Sequence, residues 1–213
     1  MPLNLVMLGP PGAGKGTQAE RFALKHGVPK ISTGDILREA VTSDTAFGRA
    51  AKAVMDAGRL VGDEIMIGIV QERLARGDAK AGFVLDGFPR TVPQAIALDD
   101  MLGTQPLVVV DIVVPEQTLV RRLASRRMCE KCGHSALPAE RECTKCGGEL
   151  VVRIDDSAGI VLERLRIYVD QTSPIVEFYR ARPNFRAIDG TGSPEDVQSA
   201  ICEAVTAVAG GMA

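Results

Sequence analysis

The chain has 213 residues, with 25 Lys plus Arg against 27 Asp plus Glu, for a formal net charge of −2. That length allows little more than one domain, with enough interior to fold without disulfide staples. The charge balance excludes a surface built wholesale for nucleic acid or anionic membrane, and 46% apolar with 24% charged residues excludes intrinsic disorder.

Leu3–Leu8 is a continuous apolar run that reads as a buried strand, and it ends in the glycine-rich stretch Gly9-Pro10-Pro11-Gly12. Gly16 to Lys25 has helical composition and Gly27 stops it. Val28–Ile31 reads as a short second strand, followed by two short helices over Asp35–Ser43 and Phe47–Ala57, closed by Gly58. Glu64–Ala75 has helical spacing, with Ile65, Ile69, Val70 and Leu74 near one face. Gly82–Asp86 is a strand ending in a carboxylate, and Pro93–Leu102 a helix with proline in its first turn. Leu107–Val114, rich in valine and bounded by Pro106 and Pro115, is the most strand-like stretch. Glu116–Arg127 reads as a basic helix, and Met128 to Asp156 as a loop-like, cysteine-rich segment. Gly159–Ala181 reads as a long helix kinked at Pro174, Phe185–Ile188 as a last strand and Glu195–Val208 as a last helix.

Strands buried on both faces and alternating with helices predict an α/β fold, a parallel sheet covered by helices. Such sheets bind ligands beyond the carboxyl ends of their strands. The longest apolar stretch is far below the ~20 residues of a membrane span. The N-terminal apolar run is short and has no basic residues before it, unlike a signal peptide. A cytoplasmic location, with no membrane partner, is the expectation.

Gly9-Pro-Pro-Gly12-Ala13-Gly14-Lys15-Gly16-Thr17 lies between the first strand and the first helix. Its glycines let successive N–H groups turn inward on a phosphate chain, and the following helix adds its positive end. Lys15 supplies a mobile charge for the terminal phosphates. Gly16 stands where the general pattern has Ser or Thr, and the hydroxyl comes one residue later, on Thr17.

Two more motifs follow strands: Ile31-Ser32-Thr33-Gly34-Asp35-Ile36-Leu37-Arg38, and Val84-Leu85-Asp86-Gly87-Phe88-Pro89-Arg90 with Thr91 and Gln94. With the variant loop, these residues resemble the adenylate kinases, within the nucleoside monophosphate kinases, from about Leu3 to Val208. The resemblance implies a P-loop NTPase-type sheet in a CORE domain (1–31, 62–124 and 157–213), an NMP-binding helical insert (32–61) and a zinc-bearing LID (125–156). It implies Mg²⁺-dependent transfer, ATP + AMP ⇌ 2 ADP, by a monomer with no nucleic-acid partner.

Residue by residue, the resemblance gives the ATP phosphates to Gly12, Ala13, Gly14, Lys15, Gly16 and Thr17. Arg122 would lie over the ATP adenine, with Ser135, Ala136 and Gly192 lining the same pocket. AMP would be held by Thr33, Arg38, the backbone of Arg59, Leu60 and Val61, then Gly87, Phe88, Pro89, Arg90 and Gln94. Arg126, Arg153 and Arg164 would converge on the transferred phosphoryl group with Lys15 and Arg90, and Asp86 would orient the waters of Mg²⁺. The chemistry agrees: phosphoryl transfer asks mainly for positioning and charge neutralisation, and guanidinium forks such as Arg38 and Arg90 match phosphate oxygens. A hydroxyl and an amide, Thr33 and Gln94, suit an adenine.

Cys129-Glu-Lys-Cys132-Gly133 and Cys143-Thr-Lys-Cys146-Gly147 form two CxxCG knuckles. Each can present two thiolates to one tetrahedral Zn²⁺, and four sulfur ligands leave no open position, so the metal is expected to be structural. His134 adjoins the first knuckle, but four cysteines suffice. Met128, Leu137, Leu150, Val151, Val152 and Ile154 are nearly all the apolar residues this segment offers for a core. Two alternatives stand beside the main reading. One is a GTP:AMP phosphotransferase. The other is a nucleic-acid-binding zinc ribbon, suggested by the basic run Arg121–Arg127 before the knuckles and opposed by the net charge of −2.

Overall fold

Five parallel strands form the central sheet in the order β2-β3-β1-β4-β7, where β1 is Leu3–Leu8, β2 Lys30–Ser32, β3 Gly82–Asp86, β4 Leu107–Val113 and β7 Phe185–Asp189. The computed structural model describes residues 3–43, 46–136, 139–153, 156 and 158–211. Leu137 and Ile154 lie outside the described residues. Alternation along the strands splits the core in two. Val6, Leu8, Leu107 and Val109 face one cluster, while Leu5, Met7, Val108, Val110 and Ile112 face the other. Each fully buried Leu, Ile or Val contributes about 1.5–3 kcal/mol, so a sheet covered on both faces needs no aromatic-rich core.

The helices divide accordingly. On the first face lie α2 (Thr33–Thr42), α3 (Ala46–Asp56), α4 (Asp63–Leu74), α5 (Val92–Leu102) and α8 (Ser173–Arg180). On the second lie α1 (Lys15–His26), α6 (Glu116–Ala124), α7 (Ala158–Ile167) and α9 (Pro194–Gly211). Gly27 closes α1 in a left-handed conformation, and the Thr91 hydroxyl caps α5 by accepting from the Gln94 N–H. Among the described residues, no helix is long and apolar enough to cross a membrane.

Four local expectations change. The buried face of α4 is Met66 and Val70, and Ile65 is exposed, because the sheet and α5 approach from the Met66 side. The basic helix ends at Ala124, and the chain enters a small antiparallel sheet of β5 (Arg127–Cys129) and β6 (Leu150–Val152) where the sequence suggested only loop. The long helix over 159–181 is three pieces, α7, a π turn over Tyr168–Thr172, and α8. Pro174 cannot donate to the residue four before it, and the helix accommodates the missing bond by widening in the preceding turn. The second strand begins two residues late, at Lys30, where it can pair with β3.

Two excursions leave the sheet on its carboxyl side. One is the α2–α3 hairpin between β2 and α4, and the other is the β5–β6 unit between α6 and α7. Residues of both line one cleft together with the loop that follows β1.

Candidate active site

A cleft of about 530 Å³ opens at the carboxyl ends of the strands. Its floor is the loop from Gly9 to Thr17, in which Gly12 and Gly14 adopt left-handed backbone that turns the chain into α1. Lys15 Nζ folds back to donate to the carbonyls of Gly9 (2.7 Å) and Pro10 (2.9 Å). Burial brings the Lys15 ammonium down to about 8. Asp86 opposes the shift, and Arg90, Arg164 and Arg126 add to it. Asp86 ends β3 in register with Met7. A Cβ at Gly16 would come within 3.3 Å of Asp86 Oδ2, so the position after the lysine is kept small beside that carboxylate.

Beyond β2 and β3, Thr33 and Gln94 are buried yet line the cleft. The Thr33 hydroxyl donates to Gly87 O (2.7 Å), and Arg90 Nε donates to the same carbonyl (2.8 Å). Gln94 Oε1 accepts from the Arg90 backbone N–H (2.7 Å), and Gln94 Nε2 donates to Asp63 Oδ1 (2.8 Å). Arg38, held by Asp35, lines the same end together with Arg59, Leu60 and Val61. Gly87 and Pro89 line it too. Phe88 is the exception in that motif: its side chain is buried in the core, against the sheet, and is not on the cleft wall.

At the other end, Arg122 donates to Gly190 O (2.9 Å) and lines the cleft with Gly192, Ser135 and Ala136. Arg126, Arg153 and Arg164 line the cleft as well. Asp156 ties two of them together. Its carboxylate, with no solvent exposure, accepts from Arg126 Nε and Nη2 (2.6 Å each) and from Arg164 Nη1 (2.9 Å). Sequence reasoning missed Asp156, Asp63 and Glu20. Each is an acidic residue that no sequence motif marks, and its role comes from a partner on another element.

The β5–β6 unit lies over α1, where Glu20 pairs with Lys145 and faces His134. Its four knuckle cysteines bring their sulfur atoms within 4.8 Å of one another, with Cys129 to Cys146 and Cys132 to Cys143 both at 3.5 Å. Four thiolates about 2.3 Å from one tetrahedral ion would have nearly that spacing, so the set fits a metal. The two knuckles are copies. Gly133 and Gly147 both turn left-handed and donate to the carbonyls of Cys129 and Cys143, and a Cβ at Gly148 would strike Cys129 Sγ at 2.8 Å. Despite a backbone N–H from His134, proton sharing with Cys146, Cys143 and Cys129 and burial push Cys132 up to about 12. Against its own burial, N–H and S–H donors pull Cys129 down to about 6. His134 stands outside the cluster, between Glu20 and Glu140.

A family model described as adenylate kinase matches residues 7–184. The chain belongs to the adenylate kinase family. An adenylate kinase of Archaeoglobus fulgidus is 48% identical over 204 residues, covering 92% of this chain and 94% of that protein. One of Thermodesulfovibrio yellowstonii is 46% identical over 209 residues, covering 94% and 97%. One of Salinispora tropica is 48% identical over 217 residues, covering 98% and 100%. The family's reaction is the reversible phosphoryl transfer ATP + AMP ⇌ 2 ADP, with Mg²⁺ accompanying ATP, and the chain is an enzyme of that class, a nucleoside monophosphate kinase. The parallel sheet, its phosphate loop and the flanking helices are the adenylate kinase fold.

Proposed function

We propose how the cleft divides between its two nucleotides. The donor triphosphate runs along Gly12–Thr17 into the positive end of α1, with its base toward Arg122, Ser135, Ala136 and Gly192. The acceptor monophosphate lies toward Thr33, Arg38, Arg59–Val61 and Gly87–Gln94. The observation that carries this reading is the polarity of Thr33 and Gln94. Thr33 spends its only hydrogen on Gly87 O, so its oxygen is left as an acceptor. The Gln94 oxygen is taken by Arg90 N–H, so the amide is left with an N–H to donate. With the Thr33 oxygen toward the 6-amino group and the Gln94 N–H toward ring N1, adenine is matched, while the O6 and N1–H of guanine would be met acceptor to acceptor and donor to donor.

Lys15, Arg90, Arg126, Arg153 and Arg164 then surround the junction of the two phosphate chains. Transfer spreads negative charge over the moving phosphoryl group, and these fixed cations neutralise it without reorganising. Mg²⁺, when bound with ATP, would neutralise phosphate charge, and Asp86 would orient its waters. Arg38 and Arg90 hold the acceptor phosphate in line. Residues 32–61 and 125–156 act as closing units on the remainder, 1–31, 62–124 and 157–213, and exclude water from the junction. The pairing of Glu20 with Lys145 supports a closed position of the second unit.

For the four cysteines, the donor set favours Zn²⁺ held as a structural ion, since all four positions of a tetrahedron are filled by sulfur. Reduced thiols at this spacing fit a cytoplasmic enzyme. One chain carries every group the reaction needs, which supports a monomer.

A coupled assay of ADP formation tests the division. Wild-type enzyme should form ADP from ATP only when AMP is present, and Lys15→Ala and Arg90→Ala should abolish transfer while retaining the fold. Brisk ATP hydrolysis without AMP, or unchanged kcat/KM in either variant, would overturn it.

A further inference from the structure

Asp63 is not on the cleft wall, yet it controls a side chain that is. It is the first residue of α4, directly after the stretch Arg59–Gly62 by which the chain returns from the α2–α3 hairpin. Its Oδ1 accepts twice from across the groove between α4 and α5, from Thr91 Oγ1 at 2.9 Å and from Gln94 Nε2 at 2.8 Å. Thr91 is itself the cap of α5, and its hydroxyl oxygen accepts from Gln94 N–H. The Gln94 carboxamide is therefore held at both ends, its oxygen by Arg90 N–H and its nitrogen by Asp63.

An amide side chain can present either its oxygen or its nitrogen to a ligand, and a half-turn about its last torsion exchanges them. Which one faces the base decides which base is accepted. A carboxylate is an acceptor only, so an Asp63 oxygen in contact with one end of the amide requires that end to be NH₂. We propose that Asp63 is a positioning residue that sets the acceptor-base specificity of this enzyme by locking Gln94 as a hydrogen-bond donor. Directed at ring N1, that donor meets the bare nitrogen of a 6-amino purine monophosphate and opposes the N1–H of a 6-oxo one, so the first is selected. The inference rests on the reading that Thr33 and Gln94 meet the acceptor base. It adds a residue of a different element, 31 positions from Gln94 in the chain. Because Asp63 directly follows Arg59–Gly62, the lock is also coupled to the placement of the hairpin: if that stretch shifts, the acceptor for Gln94 Nε2 shifts with it.

The test compares AMP with GMP as acceptor, at saturating ATP, in wild type, Asp63→Ala and Asp63→Asn. Asp63→Ala leaves Gln94 held at its oxygen alone, by Arg90 N–H, and should lower the AMP-to-GMP ratio of kcat/KM by about tenfold, the worth of one hydrogen bond to a charged group. The KM for ATP should not move. Asp63→Asn keeps an oxygen able to accept from both Thr91 and Gln94, so it should restore the ratio. Should Asp63→Ala not fold, Asp63→Ser, whose hydroxyl is too short to span to Gln94, makes the same comparison. A ratio unchanged in the Ala or Ser variant, with only a lowered melting temperature, would show a merely structural residue and overturn the inference alone. An Asn variant as defective as the Ala variant would overturn it as well. A wild-type enzyme without preference between AMP and GMP would overturn both the inference and the assignment of Thr33 and Gln94 beneath it.

Discussion

Asp156 grips Arg126 through both carboxylate oxygens, at 2.6 Å to Nε and to Nη2, from a position sealed against solvent. A bidentate grip fixes the plane of a guanidinium as well as its place, and Arg164 shares one of the same oxygens. Asp156→Ala should therefore misalign both arginines. We expect kcat to fall by about 10²-fold, the usual cost of misplacing a catalytic group by an ångström. Asp156→Asn should fare no better, because its NH₂ would face the guanidinium donors. Steady-state kinetics with both nucleotides decides the matter: a rise in KM with kcat preserved would mean that Asp156 serves binding only.

Lys15 gives a pH signature. Its ammonium titrates at about 8 in the free enzyme, lowered chiefly by burial. A triphosphate favours the protonated form, so the bound complex should hold its proton to higher pH. The KM for ATP should rise as the pH passes through about 8, while kcat at saturating ATP stays level over the same interval. A KM profile flat across that range would show that the lysine is charged throughout and that burial does not govern it.

Metal removal should unfold the β5–β6 unit first. Among its described residues 125–136, 139–153 and 156, only Cys129, Cys143 and Asp156 are buried; Met128, Leu150 and Val151 are half-buried and Val152 is exposed. Apolar burial there is too small to fold the unit, whereas zinc on cysteine-rich peptides supplies about 10–16 kcal/mol of apparent binding energy. The purified protein should carry about one zinc per chain by elemental analysis. Chelation, or Cys129→Ser with Cys132→Ser, should lower the melting temperature and leave some activity in the cold. Metal-free protein of unaltered stability would refute this.

The Glu20–Lys145 pair spans the phosphate-loop helix and the second knuckle, and both side chains are partly exposed. Exposed pairs are worth about 0–1 kcal/mol and are screened by salt. Glu20→Gln should raise the KM for ATP roughly twofold at low ionic strength. The difference should vanish at high salt. A difference that persists in high salt would point to packing rather than charge.

What could be read from the chain and what could not follow from the range of the interactions. Leu107–Val113 was legible because a valine run between Pro106 and Pro115 has few alternatives to a buried strand. The phosphate loop and the knuckles were legible because their chemistry is complete within a few consecutive residues. The β5–β6 sheet escaped because three-residue strands carry too short a pattern to register. Asp63 and Asp156 escaped for a different reason: Gln94 lies 31 residues from Asp63, and Asp156 takes its role from joining Arg126, 30 residues before it, to Arg164, 8 after it, with nothing adjacent to mark either acid as special. In the helix over 159–181, Pro174 announced a disruption, but a proline does not by itself tell a kink from a widened turn, and here the helix widens over Tyr168–Thr172.

The two hydrogen bonds that Lys15 makes to the carbonyls of Gly9 and Pro10 bear on traffic through the enzyme. A loop rich in glycine would otherwise wander, and the ammonium pins it, the two carbonyls accepting the hydrogen bonds that a phosphate would accept. Each incoming nucleotide must compete with those carbonyls for the ammonium, and each departing one is replaced by them. For a reaction run in both directions, with ADP as product one way and substrate the other, a ready substitute keeps neither ligand trapped.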